Sequence, residues 1–140
     1  MRKSRNLKTI LMRNLTNYQW PDKVILIVED DPSSSIFLEE LLKRTSVKLL
    51  FADNGQKAIN ICNEDTKIDL VLMDIKIPGT DGVKATKEIK KNRPELPVIA
   101  QSAITLDEEK KLAFEHGCDD YITKPLNVEE LLKKIGLFFH

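Results

Sequence analysis

The stretch VILIVEDDP, residues 24–32, decides the fold. Val24, Ile25, Leu26, Ile27 and Val28 are apolar without alternation, the pattern of a strand covered on both faces. Asp31-Pro32 then pairs a helix-capping residue with a proline suited to the first helical position. Beyond it Leu38, Leu41 and Leu42 share one helix face, while Glu39, Glu40 and Lys43 face water. A doubly buried strand feeding a helix points to a parallel sheet, whose neighbouring strands need a crossover between them.

The same unit returns four more times. Residues 47–52 read as a second strand, Asn54-Gly55 as a turn, and the next helix carries Ala58, Ile59 and Cys62. Residues 70–73 read as a third strand. Pro78-Gly79 and Asp81-Gly82 break the chain before a Lys-rich helix that stops near Arg93-Pro94. Residues 97–101 read as a fourth strand, followed by Thr105 and Glu108 at capping-box spacing and by Gly117 as a left-handed helix end. Residues 121–123 make a short fifth strand. Asn127 and Glu130 repeat the capping box, and Val128, Leu131, Leu132, Ile135, Phe138 and Phe139 form one apolar stripe. Right-handed crossovers place the helices on both faces, so residues 24–140 are expected to form a doubly wound α/β domain on a five-stranded parallel sheet.

The chain has 140 residues, one ordinary domain in length, with 41% hydrophobic residues, too many for disorder. No uninterrupted apolar run nears the roughly 20 residues that span a bilayer. Lys+Arg and Asp+Glu balance at 22 each, but the balance hides a split. Residues 1–23 carry six bases and one acid, whereas the remainder carries 16 bases and 21 acids. Residues 1–23 are therefore read as a basic N-terminal extension or linker. Leu7, Ile10, Leu11, Leu15 and Tyr18 have helical spacing within it. It lacks a continuous apolar core and cleavage site, so export is not expected and the location is taken as cytoplasmic. Cys62 and Cys118 lie far apart without further ligands nearby, which suits buried free thiols rather than zinc.

In a doubly wound sheet, ligands bind at the carboxyl ends of the strands, near the switch in strand order. Glu29, Asp30 and Asp31 follow the first strand, Asp74 the third, Ser102 the fourth and Lys124 the fifth. Loop polarity and helix capping account for Asp31. They account poorly for Asp74, which ends the apolar run LVLM. Like charges about 4 Å apart repel by roughly 4 kcal/mol at an effective dielectric near 20. One lysine cannot offset three acids, whereas a hard divalent ion can. Oxygen-only ligation by Glu29, Asp30 and Asp74 suits Mg²⁺. The turn EDDP would repel a bound phosphate, and neither GxGxxG nor GxxxxGK[ST] occurs, which excludes the usual nucleotide-binding modes. What remains is a carboxylate that receives a phosphoryl group while a metal and a lysine offset the charge.

In order along the chain, VILIVEDD, DLVLMDIKIPGTDG, VIAQSA and DDYITKP resemble the receiver domains of two-component response regulators, over about residues 24–140. The resemblance implies a flavodoxin-like (βα)5 fold with strand order 2-1-3-4-5. It implies that Asp74 is the phosphorylated aspartate, with Ser102 and Lys124 binding the phosphoryl oxygens and Ser102 and Tyr121 forming the switch. Mg²⁺ would be held by Asp30 and Asp74, by Glu29 through water, and by the backbone carbonyl of Lys76. Glu29 in place of Asp, Ile77 in place of Met and Ser102 in place of Thr are mild departures that remove no required group.

The resemblance further implies a self-phosphorylating and self-dephosphorylating signalling switch rather than a turnover enzyme. Its expected partners are a sensor histidine kinase or a histidine phosphotransfer protein, with no direct nucleic-acid binding and no membrane span. A face built from the fourth helix, fifth strand and fifth helix offers a route to a homodimer. Trp20-Pro21 before the first strand resembles the entry into the C-terminal receiver of a hybrid histidine kinase, and no output domain is expected after His140. Lys76 and Ile104 occupy positions that tune dephosphorylation in relatives. Two other readings compete: a metal-dependent aspartyl phosphohydrolase, disfavoured because Lys76 stands where a second Asp is usual, and an interaction module that is not phosphorylated.

Overall fold

Val28 lies between Ala52 on one side and Met73 on the other, which places the strand from residues 24–28 inside a parallel sheet. The structure, a computed structural model, describes residues 17–65, 67–76, 81–103 and 107–139. Its strands are β1 (Val24–Val28), β2 (Lys48–Ala52), β3 (Leu70–Asp74), β4 (Val98–Ser102) and β5 (Asp120–Thr123). The helices are α1 (Pro32–Leu42), α2 (Gly55–Glu64), α3 (Gly82–Asn92), α4 (Asp107–Glu115) and α5 (Val128–Phe138). The strand order is β2-β1-β3-β4-β5, all pairs parallel. This is the expected doubly wound topology.

Two apolar layers sandwich the sheet. Leu26, Val28, Val71, Met73, Val98 and Ala100 meet Ala58 and Cys62 of α2, Val83, Ala85 and Ile89 of α3, and Ala113 of α4. On the other face Ile25, Ile27, Leu70, Leu72, Ile99 and Ile122 meet Leu38, Leu41 and Leu42 of α1 and Leu131, Leu132 and Ile135 of α5. The pleat explains the division, since successive side chains point to opposite faces. Burying each Leu or Ile is worth roughly 1.5–3 kcal/mol, and the near-continuous apolar runs supply both layers at once. Cys62 and Cys118 are buried free thiols.

Local signals decide the helix ends. Asp31 accepts from the Ser33 N–H with Pro32 in the first turn, and Asn127 accepts from the Glu130 N–H at 3.0 Å. Asn54-Gly55 and Asp81-Gly82, read as a turn and a break, prove to be N-caps with their first helical residues. Asn54 accepts from the Lys57 N–H and Asp81 from the Val83 N–H. Gly117 has φ +109, a backbone region in which a Cβ is strained, as expected for the residue that ends α4. Thr105, Ile104, Ile77, Pro78 and Gly79 lie outside the described residues, as do residues 1–16 and His140.

Within residues 1–23, read as a basic N-terminal extension or linker, Trp20 packs onto the domain: it is only 7% exposed and belongs to the α1–α5 layer. Its ring meets Phe139 edge-on at 5.3 Å and Tyr18 at 5.6 Å, and the Trp20 backbone N–H donates to the Thr45 carbonyl at 2.7 Å. The indole covers the foot of α5, a long-range contact that no local periodicity announces. Among the described residues, no helix is long and apolar enough to cross a membrane.

Candidate functional site

The register brings the carboxyl ends of four strands level: Val28 faces Met73, Asp74 faces Gln101, and Ser102 faces Thr123. Residues just past these ends share one edge of the sheet, beside the switch between β1 and β3. Glu29 continues β1 by donating its N–H to the Ala52 carbonyl at 3.0 Å. Its carboxylate is turned inward, with the residue 3% exposed, and accepts from the Asp31 N–H through Oε1 at 3.1 Å. Asp74 closes β3, is 5% exposed, and accepts from the Lys76 N–H through Oδ1 at 2.9 Å. Asp30 is exposed. Glu29, Asp30 and Asp74 each present a carboxylate oxygen within 4.8 Å of the others.

Lys124 enters this group from the end of β5. Its Nζ donates to Glu29 Oε2 at 3.0 Å and to Asp74 Oδ2 at 3.1 Å. Its backbone N–H donates to the Ser102 carbonyl at 2.9 Å, and a cis peptide joins it to Pro125. Burial raises the Glu29 carboxyl above its usual range, the Lys124 hydrogen bond opposes that, and the Asp74 charge adds to it. Desolvation works against the Lys124 ammonium, but its bonds to Glu29 and Asp74 prevail and hold its pKa above the usual value. The lysine is thus a clamp on two acids that would otherwise repel.

Of the residues singled out from sequence, Glu29, Asp30, Asp74 and Lys124 are brought into one cluster. Ser102 is buried at the neighbouring strand end. Tyr121 is buried one strand further, paired with Ala100, and the Lys110 ammonium lies 5.9 Å from its ring centroid. Lys76 contributes its N–H to Asp74, while its side chain turns away to Glu109 of α4 at 2.8 Å.

Sequence reasoning missed Gly82. A Cβ on it would lie 2.5 Å from the Asp74 carbonyl oxygen and 2.5 Å from Ile75 Cα, both backbone atoms. Glycine lets α3 start directly against the strand end that carries Asp74. The Asp-Gly pair was its only local trace, and that pair reads equally well as a chain break.

The donor set fits a hard divalent cation. It consists of carboxylate oxygens, two of them buried, and the lysine offsets only part of their charge. An acid trio and a lysine at the switch point of a 2-1-3-4-5 parallel sheet define a receiver domain of two-component signalling. The chain belongs to the response regulator receiver domain family, which matches residues 25–136. It is 34% identical over 116 residues to the sensor histidine kinase GacS of Pseudomonas protegens and 32% identical to the sensor protein GacS of Pseudomonas syringae pv. syringae. Each comparison covers 79% of this chain, but only 12% and 13% of those proteins, so the chain spans about an eighth of the curated relatives it matches.

Solved receiver domains agree. That of the sensor histidine kinase PA1611 of Pseudomonas aeruginosa, which has magnesium coordinated in its active-site cleft, superposes with a TM-score of 0.77 at 29% identity. The match covers 83% of this chain and 96% of that one. The Saccharomyces cerevisiae Ssk1 receiver, co-crystallised with the histidine phosphotransfer protein Ypd1, gives a TM-score of 0.77 at 30% identity over 85% and 90% of the two chains. This protein is accordingly a receiver domain of the two-component signalling class.

Proposed function

We propose that Asp74 is the residue phosphorylated, and that Glu29, Asp30, Lys124 and Ser102 serve it. The supporting observation is the Lys124 ammonium, bonded at once to buried Glu29 and buried Asp74. Asp74 sits at a strand end with one oxygen fixed by the Lys76 N–H, which leaves its other oxygen, now on Lys124, to act as nucleophile. An oxygen of Asp74 attacks the phosphorus of a phosphohistidine on the partner. The P–O bond forms in line as the P–N bond breaks, and the imidazole departs with the electron pair. Lys124 then follows the negative charge onto the phosphoryl oxygens, and the Ser102 hydroxyl donates to one of them.

Asp30 and Asp74, with Glu29 through water and the Lys76 carbonyl, would hold Mg²⁺, which supplies positive charge to the phosphoryl group. The domain acts as a switch: movement of Ser102 is coupled to Tyr121, and the α4–β5–α5 face reads out the change. Leu112 and Phe114 leave apolar surface exposed on α4, suited to a partner or a second copy. Ile36 and Phe37 do the same on α1, beside the acid cluster, where a histidine-bearing kinase or phosphotransfer protein would dock. Placement in the cytoplasm, where such donors act, belongs to the same reading.

Incubation of the protein with acetyl phosphate tests the proposal. One phosphoryl group per chain is expected in the presence of Mg²⁺ and none after chelation. Repeated release of phosphate from a phosphomonoester would favour an aspartyl phosphohydrolase instead.

A further inference from the structure

Lys76 stands between two acids that compete for its charge. Its backbone N–H donates to Asp74 Oδ1 at 2.9 Å, which fixes the root of its side chain beside the phosphoacceptor carboxylate. Its ammonium lies elsewhere, 2.8 Å from Glu109 Oε1 in the first turn of α4. A lysine ammonium rides on a flexible four-carbon stem, so the charge can be moved by rotamer changes while the backbone stays in place. Asp81, a further acid whose charge acts on Lys76, is engaged as the cap of α3 through the Val83 N–H at 2.8 Å.

The helix on the far side of this ion pair is held lightly. Among the described residues of α4, Ala113 alone is buried, whereas α3 buries Gly82, Val83, Ala85, Thr86 and Ile89. A helix with so little buried apolar surface has its position set by small interactions, and one of them here is a tie to the end of β3. Glu109 follows Asp107 and Glu108 in the first turn, where the helix dipole favours an ionised carboxylate. The Lys76 and Glu109 side chains are 54% and 26% exposed, so their pair is weak enough for a stronger charge to break. A phosphoryl group on Asp74 is such a charge, adding about −1.5 to −2 beside the root of the lysine.

We propose that Glu109 is a positioning residue for the phosphoacceptor: it holds the Lys76 ammonium off an unmodified Asp74 and yields it to a phosphoryl group, which frees α4 from the end of β3. The competition is reciprocal. Glu109 and the phosphoryl oxygens draw on one cation, so removing the carboxylate favours an anion at Asp74, and an anion at Asp74 weakens the hold on α4. The role rests on the Asp74 reading and adds to it a link to α4 that passes through neither Ser102 nor Tyr121.

The test is a titration of the full chain with beryllofluoride, a stand-in for the phosphoryl group, in excess Mg²⁺, with bound ligand followed by fluorine NMR. Glu109→Gln keeps the shape and removes the charge, and should bind about two- to fivefold more tightly, the scale of a partly exposed ion pair. Lys76→Met should bind more weakly than the wild type, and adding Glu109→Gln to it should change nothing further. An equal gain in the Lys76→Met background would mark a general effect of one acid fewer and overturn the proposal. In the wild type the Glu109 carboxyl carbon signal should move on binding toward its position in ligand-free Lys76→Met, and a signal that stays in place overturns it too. A wild type that takes up no beryllofluoride fails the Asp74 reading and this role with it. A wild type that binds, with a Glu109→Gln protein that binds no tighter, fails this role alone.

Discussion

Lys124 Nζ reaches Asp74 Oδ2 at 3.1 Å across a sequence separation of 50 residues, and the same nitrogen holds Glu29 Oε2 at 3.0 Å. The cation stands where the acid cluster would otherwise carry uncompensated charge, which links the stability of the site to its chemistry.

Lys124→Met should therefore weaken the fold in metal-free solution. A charge-assisted hydrogen bond contributes about 1.5–3 kcal/mol, and partial exposure of the lysine brings the expected loss to about 1–2 kcal/mol. Added Mg²⁺ should restore part of that loss by taking over the compensation. Urea denaturation of the variant and the wild type, each in chelator and in excess Mg²⁺, measures both effects. An unchanged difference with and without Mg²⁺ would contradict this role for the clamp.

Gly82→Ala should disturb the site through the backbone. The new methyl would sit 2.5 Å from the Asp74 carbonyl oxygen and from Ile75 Cα, and backbone cannot swing aside as a side chain can. Overpacking of this kind costs about 1–3 kcal/mol, and any relief must move Asp74. Calorimetric titration with Mg²⁺ should show at least a severalfold loss of affinity alongside lower thermal stability. Wild-type affinity in a destabilised Gly82→Ala protein would separate packing from positioning and refute the second.

Trp20→Ala removes an indole packed on Phe139 and Tyr18. A buried Trp→Ala change costs about 3–5 kcal/mol, and the site lies at the other end of the strands, so Mg²⁺ affinity of the folded protein should be unchanged. Denaturant unfolding followed by far-UV circular dichroism checks the first point. A loss below about 1 kcal/mol would return residues 18–20 to the status of a tail.

The thiols predict an alkaline effect. Burial pushes Cys62 and Cys118 up to about 11 from an ordinary 9.0, so the folded protein holds both protons more tightly than the unfolded chain. Their contribution to stability is complete below pH 9 and is lost as pH rises toward about 11. Near pH 8 only on the order of one thiol in a thousand is ionised, so a disulfide reagent should label the native protein slowly and both cysteines at once on unfolding. Rapid labelling of either one in the native state would show that burial does not protect it.

Much of this was readable beforehand, for identifiable reasons. Doubly buried strands advertise themselves as apolar runs, and acids placed straight after such runs, as in VILIVEDD and LVLMD, have no local purpose. Glu29, Asp30, Asp74 and Lys124 were therefore legible as a site before any coordinates. The neighbours that shape the site were not. Gly82 matters because a strand end passes beneath it, and the Lys76–Glu109 ion pair joins positions 33 residues apart. Trp20 is buried against Phe139 at the far end of the chain. Each depends on tertiary approach, which carries no period and no motif.

The central claim is that Asp74 accepts the phosphoryl group, and intact-protein mass spectrometry tests it most directly. Wild type and Asp74→Asn would be incubated side by side with acetyl phosphate and Mg²⁺. One added phosphoryl group on the wild type and none on Asp74→Asn is the predicted result. An unmodified wild type, or equal modification of Asp74→Asn, would contradict it.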